Sequence, residues 1–446
     1  MRYEKYISVP DAIWFDVVPD SWRALKMRGV FSERNTKVSD KDYPALSVGK
    51  MGVVPQLDTA VKTDNGDNRK LICKGDFAIN SRSDRKGSSG ISQYDGSASL
   101  IITVLKPHRS LNGRFYHYLL RGHYFAEEFY RNGHGLVSDL WTTKWDEMRN
   151  IYIPVPPREE QNQIVRYLDW QVSKINKLIH GYQWKIKLLE ERRQTIIDQT
   201  SLEGVDGVKL IDSGTHWVKQ IPENWKMVYS KKLFAERKDK AFLNDEQLTA
   251  SQKHGVISQK EFMEKVGRRV TVVTKGGDIL KHVGKGDFII SMRSFQGGLE
   301  YSYVEGKISS AYVMLIPRKG LVYDEYFKWL LKSTPYIKAL QGTADLVRDG
   351  QALRYTNFAK VPLPQVPIDE QKRIADYIEQ ETAKIDRAIP VLEKEIELLK
   401  EYRTRLISDV VTGQMDVRNV EVPEYTPEED IAEEAPEEQE VEMDAD

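Results

Sequence analysis

Arginine, serine, lysine and glutamine side chains cluster on two glycine-containing loops, and these residue types could make hydrogen bonds to nucleic acid. The first loop follows the strand-like segment FAINSRS, and the second follows FIISMRS. In both halves a Lys-Gly-Asp turn leads into the apolar run, which an Arg-Ser pair ends. Such side chains can hydrogen-bond base edges and phosphate oxygens. The candidate contact residues in these loops are Arg82, Ser83, Arg85, Lys86, Arg293, Ser294 and Gln296.

A second pair of loops precedes the closing strand of each half, at residues 134–144 and 345–355. They add Lys144, Arg348 and Arg354 to the candidate contact residues. For any single residue, a solvated turn is the simpler interpretation. The sequence nevertheless favours recognition, because such loops occur at matching points in both halves.

The sequence contains none of the common motifs of nucleotide-binding or metal-dependent catalysis. It has no G-x-x-x-x-G-K-[ST] loop, no G-x-G-x-x-G after a strand and no H-E-x-x-H. It also lacks the Asn-Pro-Pro-aromatic tetrapeptide of adenine methyltransferases. Eight scattered histidines and one cysteine, Cys73, suggest no metal site, and a single cysteine excludes an internal disulfide. We therefore expect a reader with no catalytic or metal site and no cofactor of its own.

Net charge is distributed unevenly along the 446 residues. Residues 421–446 hold 13 acidic side chains and no Lys or Arg, so residues 1–420 carry 66 basic and 54 acidic side chains, a net charge of +12. A basic body suits a polyanion binder, although a mildly basic globular protein with a solubilising tail fits equally well. No apolar run reaches the length of a membrane span, and no signal peptide opens the sequence. We expect a soluble, cytoplasmic protein of two to three domains.

A long segment of the sequence occurs twice. Residues 158–198 and 368–408 match at a fixed step of 210, with 13 identities and no gap. A single long period indicates one large duplicated unit and not a solenoid of short repeats. The remainder of each half matches more loosely, and residues 18–22 correspond to 221–225. The chain therefore alternates globular domain and repeated segment, twice.

Both repeated segments have the heptad pattern of a coiled coil. Apolar residues recur every seven positions over five heptads, in the same register in both copies. Each helix would contain about 40 residues and extend roughly 60 Å. The predicted spacer stripe consists of Leu168, Ile175, Tyr182, Leu189 and Ile196 in the first copy, and of Ile378, Ile385, Leu392, Leu399 and Leu406 in the second.

The pattern alone leaves the packing of these helices open. They could pack on each other, in either direction, or each could pack on its own globular domain. Pro390 in one copy and Gly181 at the same level of the other predict a kink or break near residues 180 and 390. Arg193 and Arg403 occupy core-type positions, where buried aliphatic stems with solvated heads are the usual arrangement.

Taken together, residues 7–415 resemble the DNA-specificity subunits of type I restriction-modification systems. The most specific features are the [IV]-P-[VL]-P strands that lead into E-Q-x-x-I-x-x-Y helices, and the KGDFxIxxRS turns. The stretches SGTHWVKQIPENW and GQALRYTNFAKVPLP also look characteristic. The acidic tail lies outside the resemblance.

The resemblance implies a mixed α/β fold with internal pseudo-twofold duplication. Two target-recognition domains would be separated by two long helices in an antiparallel coiled coil. The expected segments are recognition domain 1 (1–156), the central repeated helix (157–203), recognition domain 2 (204–365), the distal repeated helix (366–414) and an acidic disordered tail (415–446).

The resemblance also implies that this chain is a non-catalytic reader of a bipartite sequence in double-stranded DNA. Two modification subunits would supply methylation that depends on S-adenosylmethionine, and two motor-nuclease subunits would use ATP and Mg²⁺. Two other interpretations stay open at this point: a coiled-coil scaffold or regulator that binds protein, and a nuclease with an unrecognised site.

Overall fold

Short strands, short helices and two very long helices make up the described part of the chain. The structure, a computed structural model, describes residues 2–57, 66–82, 87–108, 111–135, 141–251, 254–267, 279–291, 299–343, 346–347, 350–351 and 353–427. The chain divides into two compact units. Among the described residues, the first unit comprises 2–183 and 393–427, and the second comprises 184–392. Each unit therefore includes part of both repeated segments.

The first unit consists mainly of short strands. They are β1 (Tyr6–Ser8), β2 (Val17–Pro19), β3 (Arg23–Lys26), β4 (Phe31–Glu33), β5 (Lys37–Val38), β6 (Leu46–Gly49), β7 (Gly52–Pro55), β8 (Arg69–Ile72), β9 (Phe77–Asn80), β10 (Ser89–Ile91), β11 (Gly96–Ala98), β12 (Ile102–Pro107) and β13 (Tyr152–Val155). The helices are α1 (Gly113–Arg121), α2 (His123–Arg131), α3 (Trp145–Met148) and the long α4 (Arg158–Glu203), which continues into the second unit.

A four-stranded antiparallel sheet of order β10-β9-β12-β4 organises the first unit. Its strand β9 is the apolar run FAIN, and all four residues are buried. Both faces of β9 are therefore covered, which is why the run is apolar without alternation, and β10 and β12 pair with its two edges. Side chains from six strands form a core that consists of Leu46, Val53, Ile72, Ala78, Ala98, Ile102 and Val104.

The second unit has a corresponding set of strands. They are β14 (Leu210–Asp212), β15 (Gln220–Pro222), β16 (Lys226–Tyr229), β17 (Phe234–Arg237), β18 (Leu248–Ser251), β19 (Gly255–Ser258), β20 (Lys281–Val283), β21 (Phe288–Ser291), β22 (Glu300–Tyr301), β23 (Gly306–Ile308), β24 (Tyr312–Pro317), β25 (Leu346–Val347), β26 (Gly350–Gln351) and β27 (Pro362–Gln365). The helices are α5 (Gln259–Val266), α6 (Asp324–Leu330), α7 (Thr334–Gln341), α8 (Tyr355–Lys360) and the long α9 (Ile368–Val411), which continues into the first unit.

An antiparallel sheet of order β17-β24-β21-β22 organises the second unit. Its large core centres on Phe234, whose ring makes edge contacts with Phe288, Phe327 and Phe358 at centroid distances of 5.5, 5.2 and 5.7 Å. Ile197 of α4 belongs to the same core, as do residues from the start of α9. The body of this unit is thus packed directly on both long helices. The mixed helix-and-strand fold predicted from the sequence is confirmed.

Both long helices run without interruption through the positions where a break was predicted. Of the predicted kink or break, a break is wrong for α4 at Gly181 and for α9 at Pro390, and a kink stays a prediction. Pro390 lies on an exposed face, where water can satisfy the carbonyl that loses its hydrogen bond. No helix in the described part of the chain is both long and apolar enough to cross a membrane.

The predicted spacer stripe is buried along most of its length. Six of its ten members are buried: Leu168, Ile175, Ile378, Ile385, Leu392 and Leu406. The other four are partly buried: Tyr182, Leu189, Ile196 and Leu399.

Polar contacts join the two long helices within each unit. In the first unit, Arg403 donates to Oδ1 of Asn176 at 2.8 Å. In the second unit, Arg193 donates from Nε to Oδ1 of Asp386 at 2.8 Å. Arg193 and Arg403, which occupy core-type positions in the heptad pattern, therefore each donate a hydrogen bond to the other long helix.

Candidate nucleic-acid interface

A buried arginine–aspartate pair anchors the turn before each central strand. In the first unit, Arg34 donates from Nε and Nη2 to the two oxygens of Asp76, at 2.6 and 3.1 Å. Arg237 makes the same pair of bonds to Asp287 in the second unit, at 2.5 and 2.9 Å. Each carboxylate also accepts a backbone N–H from three residues earlier, at 2.9 and 2.8 Å. The bonded carboxylate raises the pKa of each guanidinium above its ordinary value.

The glycine of each Lys-Gly-Asp turn supplies a backbone conformation that other residues rarely adopt. Gly75 has φ 89° and Gly286 has φ 95°, both in the left-handed region. Their N–H groups donate to the carbonyls of Ser92 and Ser302, at 2.9 and 2.8 Å. This turn fixes the start of β9 and of β21. The Lys-Gly-Asp motif found in the sequence therefore has a structural role at the start of the central strand.

The two candidate loops of the first unit meet at the end of β9. Arg82 is exposed and forms an isolated antiparallel bridge with Thr142. Thr142 in turn exchanges backbone hydrogen bonds with His134, both at 2.9 Å. The next residue, Thr143, donates its N–H to the Ser81 carbonyl at 3.0 Å. The second loop thus runs alongside the first, and Lys144 follows two residues after the bridge. The two threonines were not selected from the sequence. Both pair through their backbones, and the Thr143 hydroxyl also donates to the Phe129 carbonyl at 2.9 Å.

Lys144 and Arg354 begin equivalent short helices in the two units. The Lys144 N–H donates to the Glu147 side chain at 2.7 Å at the start of α3. The Arg354 N–H donates to Oδ1 of Asn357 at 3.0 Å at the start of α8. These caps hold the backbone, while both cationic residues remain exposed.

The remaining seven candidate contact residues lie outside the described residues: Ser83, Arg85, Lys86, Arg293, Ser294, Gln296 and Arg348. Arg82, Lys144 and Arg354 are therefore the candidates that the structure places. Within the described ranges, no group of three or more His, Cys, Asp and Glu side chains is arranged to hold a metal ion.

The Glu-Gln pair at the start of each long helix joins that helix to its globular body. The Gln161 amide oxygen accepts the Asn112 N–H at 2.9 Å, and its Nε2 donates to the Pro156 carbonyl at 2.8 Å. Gln371 makes the matching bonds in the second unit, at 2.7 and 2.8 Å. The motif selected from the sequence thus fixes the first turn of each long helix to its globular body.

An exposed apolar group in the second unit was missed by the sequence analysis. Phe242, Leu243 and Ile279 are 59%, 95% and 58% exposed. The available signal was a tandem pair of large apolar residues between Lys240 and Asn244, in a segment with neither strand nor helix periodicity.

The chain is similar over nearly its whole length to a curated protein of a restriction system. It is 21% identical over 429 residues to the "Putative type I restriction enzyme MjaX specificity subunit" of Methanocaldococcus jannaschii, which covers 90% of this chain and 95% of the relative. It is 22% identical over 289 residues to the type I restriction enzyme MjaVIII specificity subunit of the same organism, over 61% of this chain and 64% of the relative. No protein-family model matches the chain.

A solved structure has the same fold. Its description reads "Structural basis underlying complex assembly and conformational transition of the type I R-M system", and its chain matches with a TM-score of 0.65 and 14% sequence identity. The match covers 89% of this chain and 99% of the solved one. The resemblance to type I specificity subunits that the sequence predicted is confirmed.

Proposed function

We propose that this protein is the DNA-specificity subunit of a type I restriction-modification system and reads a bipartite sequence in double-stranded DNA. The observation that carries the proposal is similarity to a curated specificity subunit over 90% of this chain and 95% of that one. The repeated scaffold supports it, because the anchoring Arg–Asp pair and the sheet order recur while the candidate loops differ in sequence.

In this proposal the two long helices form an antiparallel coiled coil that sets the spacing between the half-sites. Two contacts support this arrangement. Asn176 and Asp386 are 210 residues apart, as are Arg193 and Arg403, so the two interhelical bonds are equivalent under the repeat. A duplicated chain with two such contacts suits a pseudo-twofold axis between the helices. The segments bounded at residues 156, 203, 365 and 414 are the recognition domains, the spacer helices and the acidic tail.

The candidate loops supply the DNA contacts. In the first unit, the exposed Arg82 lies on the loop edge that also leads to Lys144. Such a pair suits one base contact and one phosphate contact, because guanidinium is bidentate to guanine whereas ammonium acts as a point charge. In the second unit, Arg354 takes the place of Lys144, and Arg293, Ser294, Gln296 and Arg348 are proposed from the sequence. Ser83, Arg85 and Lys86 are proposed likewise for the first unit.

Catalysis belongs to partner subunits in this proposal. Two modification subunits bind S-adenosylmethionine and methylate adenine, and two motor-nuclease subunits use ATP and Mg²⁺. This chain selects the DNA site at which they act.

A mobility-shift and turnover experiment on the full chain tests the proposal. The chain, prepared free of partner subunits, should shift duplex DNA and should neither methylate it with S-adenosylmethionine nor cut it with Mg²⁺. The matched variants are Arg82→Ala, which should weaken binding by about 1–3 kcal/mol, and Arg405→Ala, an exposed arginine on α9 of the same unit, which should not. Turnover by the partner-free chain, or no DNA binding with or without the modification subunit, contradicts the proposal.

A further inference from the structure

Three exposed apolar residues of the second unit, Phe242, Leu243 and Ile279, form a group that we call the apolar tip. Leu243 is 95% exposed, and Phe242 beside it is 59% exposed. Ile279 joins them, because the Ala241 N–H donates to the Leu280 carbonyl at 3.0 Å and brings the two segments together. Isolated exposed apolar residues are common, but three large ones at a single corner usually indicate a binding surface.

Hydrogen bonds and a ring contact hold the backbone and the Phe242 side chain of the apolar tip in place. The Phe242 N–H donates to Oδ2 of Asp245 at 2.8 Å, and the same oxygen lies 2.9 Å from Nδ1 of His282. The Phe242 ring lies against the His282 ring, with centroids 4.5 Å apart. The Asp245 N–H closes the turn by donating to the Phe242 carbonyl at 3.2 Å. This network leaves Leu243 at the apex of a fixed turn.

A chain of contacts connects the segment before the tip to the end of β21. Lys240 bridges Lys281, and Nζ of Lys281 donates to the Tyr312 carbonyl at 2.7 Å. Tyr312 is the register partner of Ser291, the last residue of β21. Arg293 follows two residues later in the sequence.

The fold itself does not require an apolar tip. In the first unit, β5 pairs with β8 as the segment at Lys240 pairs with β20, and the stretch that follows is Ser-Asp-Lys at 39–41. That stretch is polar and contacts Asp67. The Oδ1 atom of Asp67 accepts a hydrogen bond from the Ser39 hydroxyl at 2.7 Å and lies 3.7 Å from Nζ of Lys41. The same position therefore accepts ion-paired residues in one unit and large apolar residues in the other.

The charges around the tip favour DNA as its partner. Lys238 has an 81% exposed side chain whose Nζ lies 3.7 Å from a Glu236 carboxylate oxygen, and Lys240 is also exposed. Of the neighbouring carboxylates, Asp239 is paired with Arg237 at 2.8 Å, and Asp245 accepts the Phe242 N–H and lies 2.9 Å from Nδ1 of His282. An apolar point flanked by lysines suits a duplex, whose phosphates attract the cations while its stacked bases accept an apolar side chain.

We propose that Leu243, backed by Phe242, is a wedge that inserts between adjacent base pairs of the second half-site and unstacks one step. The inference rests on the proposed function, and it adds recognition of DNA deformability in one half-site only. Wedges of Phe and Leu cost unstacking energy, which is least at flexible pyrimidine–purine steps, so the wedge would select for such a step.

The test uses the full chain with its modification subunits and duplexes that carry the target mapped by methylation. Placing 2-aminopurine at successive steps of the second half-site should reveal one step whose fluorescence rises several-fold on binding. Leu243→Ala should abolish this rise and weaken binding by on the order of tenfold, a loss typical of removing one base-stacking contact. Leu243→Met, which keeps an apolar side chain of similar size, should retain both.

Ile13→Ala is the matched control, since Ile13 is also a largely exposed apolar residue, at 65%, and lies in the first unit. It should change neither fluorescence nor affinity, and Leu243→Ala should leave the melting temperature unaltered because Leu243 has almost no contacts to lose. DNA binding with no unstacked step, or undiminished affinity of Leu243→Ala, overturns the wedge alone. Loss of subunit assembly in Leu243→Ala would instead assign the tip to protein, and no DNA binding by the unsubstituted chain would overturn the proposed function as well.

Discussion

At the scale of single residues, the two Lys-Gly-Asp turns have a structural role. Asp76 and Asp287 are buried, and each accepts two guanidinium bonds and a backbone N–H. Asp76 and Asp287 have the same set of hydrogen bonds in the two units, because a buried carboxylate left without partners would destabilise the fold. These residues hold the strands that lead to the candidate loops.

Asp287→Ala should lower the free energy of unfolding of the second unit by about 2 kcal/mol, because Arg237 and the Gly284 N–H lose a charged acceptor while Arg237 keeps its pair with Asp239. Urea titration followed by tryptophan fluorescence measures this. The control is Asp67→Ala, which removes a fully solvent-exposed pair with Lys41 and should change the urea midpoint far less. Equal losses in the two variants would refute a buried anchor.

His117 should make stability depend on pH. Burial, with Arg121 and Arg114 nearby, lowers its pKa to about 3, and Nε2 lies 3.1 Å from an Arg121 nitrogen. The folded-state pKa is depressed, so the contribution is complete above the unfolded value near ~6.5 and is lost as pH falls towards 3.

Acidification from pH 7.5 to 5.5 should therefore cost about 1 kcal/mol through this group. In His117→Gln, whose side-chain oxygen can still accept from Arg121, that component of the loss should disappear. Urea midpoints at the two pH values provide the measurement, with the exposed His216→Gln as control. The same pH dependence in His117→Gln and the unsubstituted chain would show that His117 is not responsible.

At this scale, the sequence was informative for motifs that occur in both halves and adopt the same structure in both units. The Lys-Gly-Asp and Glu-Gln motifs were found from the sequence, but their roles as anchor and joint depend on Arg34 and Asn112, far away along the chain. The bridge between Arg82 and Thr142 could not be predicted, because pairing of two irregular loops leaves no periodic signal.

At the scale of elements, the two long helices were the most predictable part of the fold. Five heptads specify an apolar stripe, and most of that stripe is buried. The continuity of α9 through Pro390 was not predictable from helix propensity, because tertiary packing outweighs a local cost of about 3 kcal/mol. The bond from Arg193 to Asp386 was equally hidden, since a heptad position does not specify its polar partner.

If these helices set the separation of the two reading units, inserting four residues after Leu189 should lengthen the spacer between half-sites. The insertion adds about 6 Å, close to two base-pair steps, and nearly completes one helical turn, so the apolar stripe stays almost in phase. Both half-sites should remain intact in methylation-site mapping.

The matched control inserts two residues, which turns the apolar face by roughly 200° and should disrupt the helix pair. An unchanged spacer in the four-residue variant, or an altered half-site, would show that something other than the helices separates the units.

At the scale of the whole molecule, a basic body is joined to an acidic terminal segment. Residues 428–446 lie outside the described residues, so the prediction for this segment rests on charge alone. Deleting residues 421–446 leaves a net charge of +12. Non-specific DNA affinity should then rise, and it should fall more steeply with salt.

Binding of both forms to a non-target duplex at 50 and 200 mM salt measures this effect, and a tail of equal length with its acids replaced by Gln and Asn is the control for length. Indistinguishable affinities and salt slopes would make the acidic segment irrelevant to DNA binding.

Methylation-site mapping with the unsubstituted chain and its modification subunits tests the central claim most directly. The predicted result is two short specific half-sites separated by a non-specific spacer of fixed length, with Arg82→Ala relaxing the sequence of one half-site only. A single continuous site, or relaxation of both half-sites by that one substitution, would contradict a chain that reads DNA with two separate units.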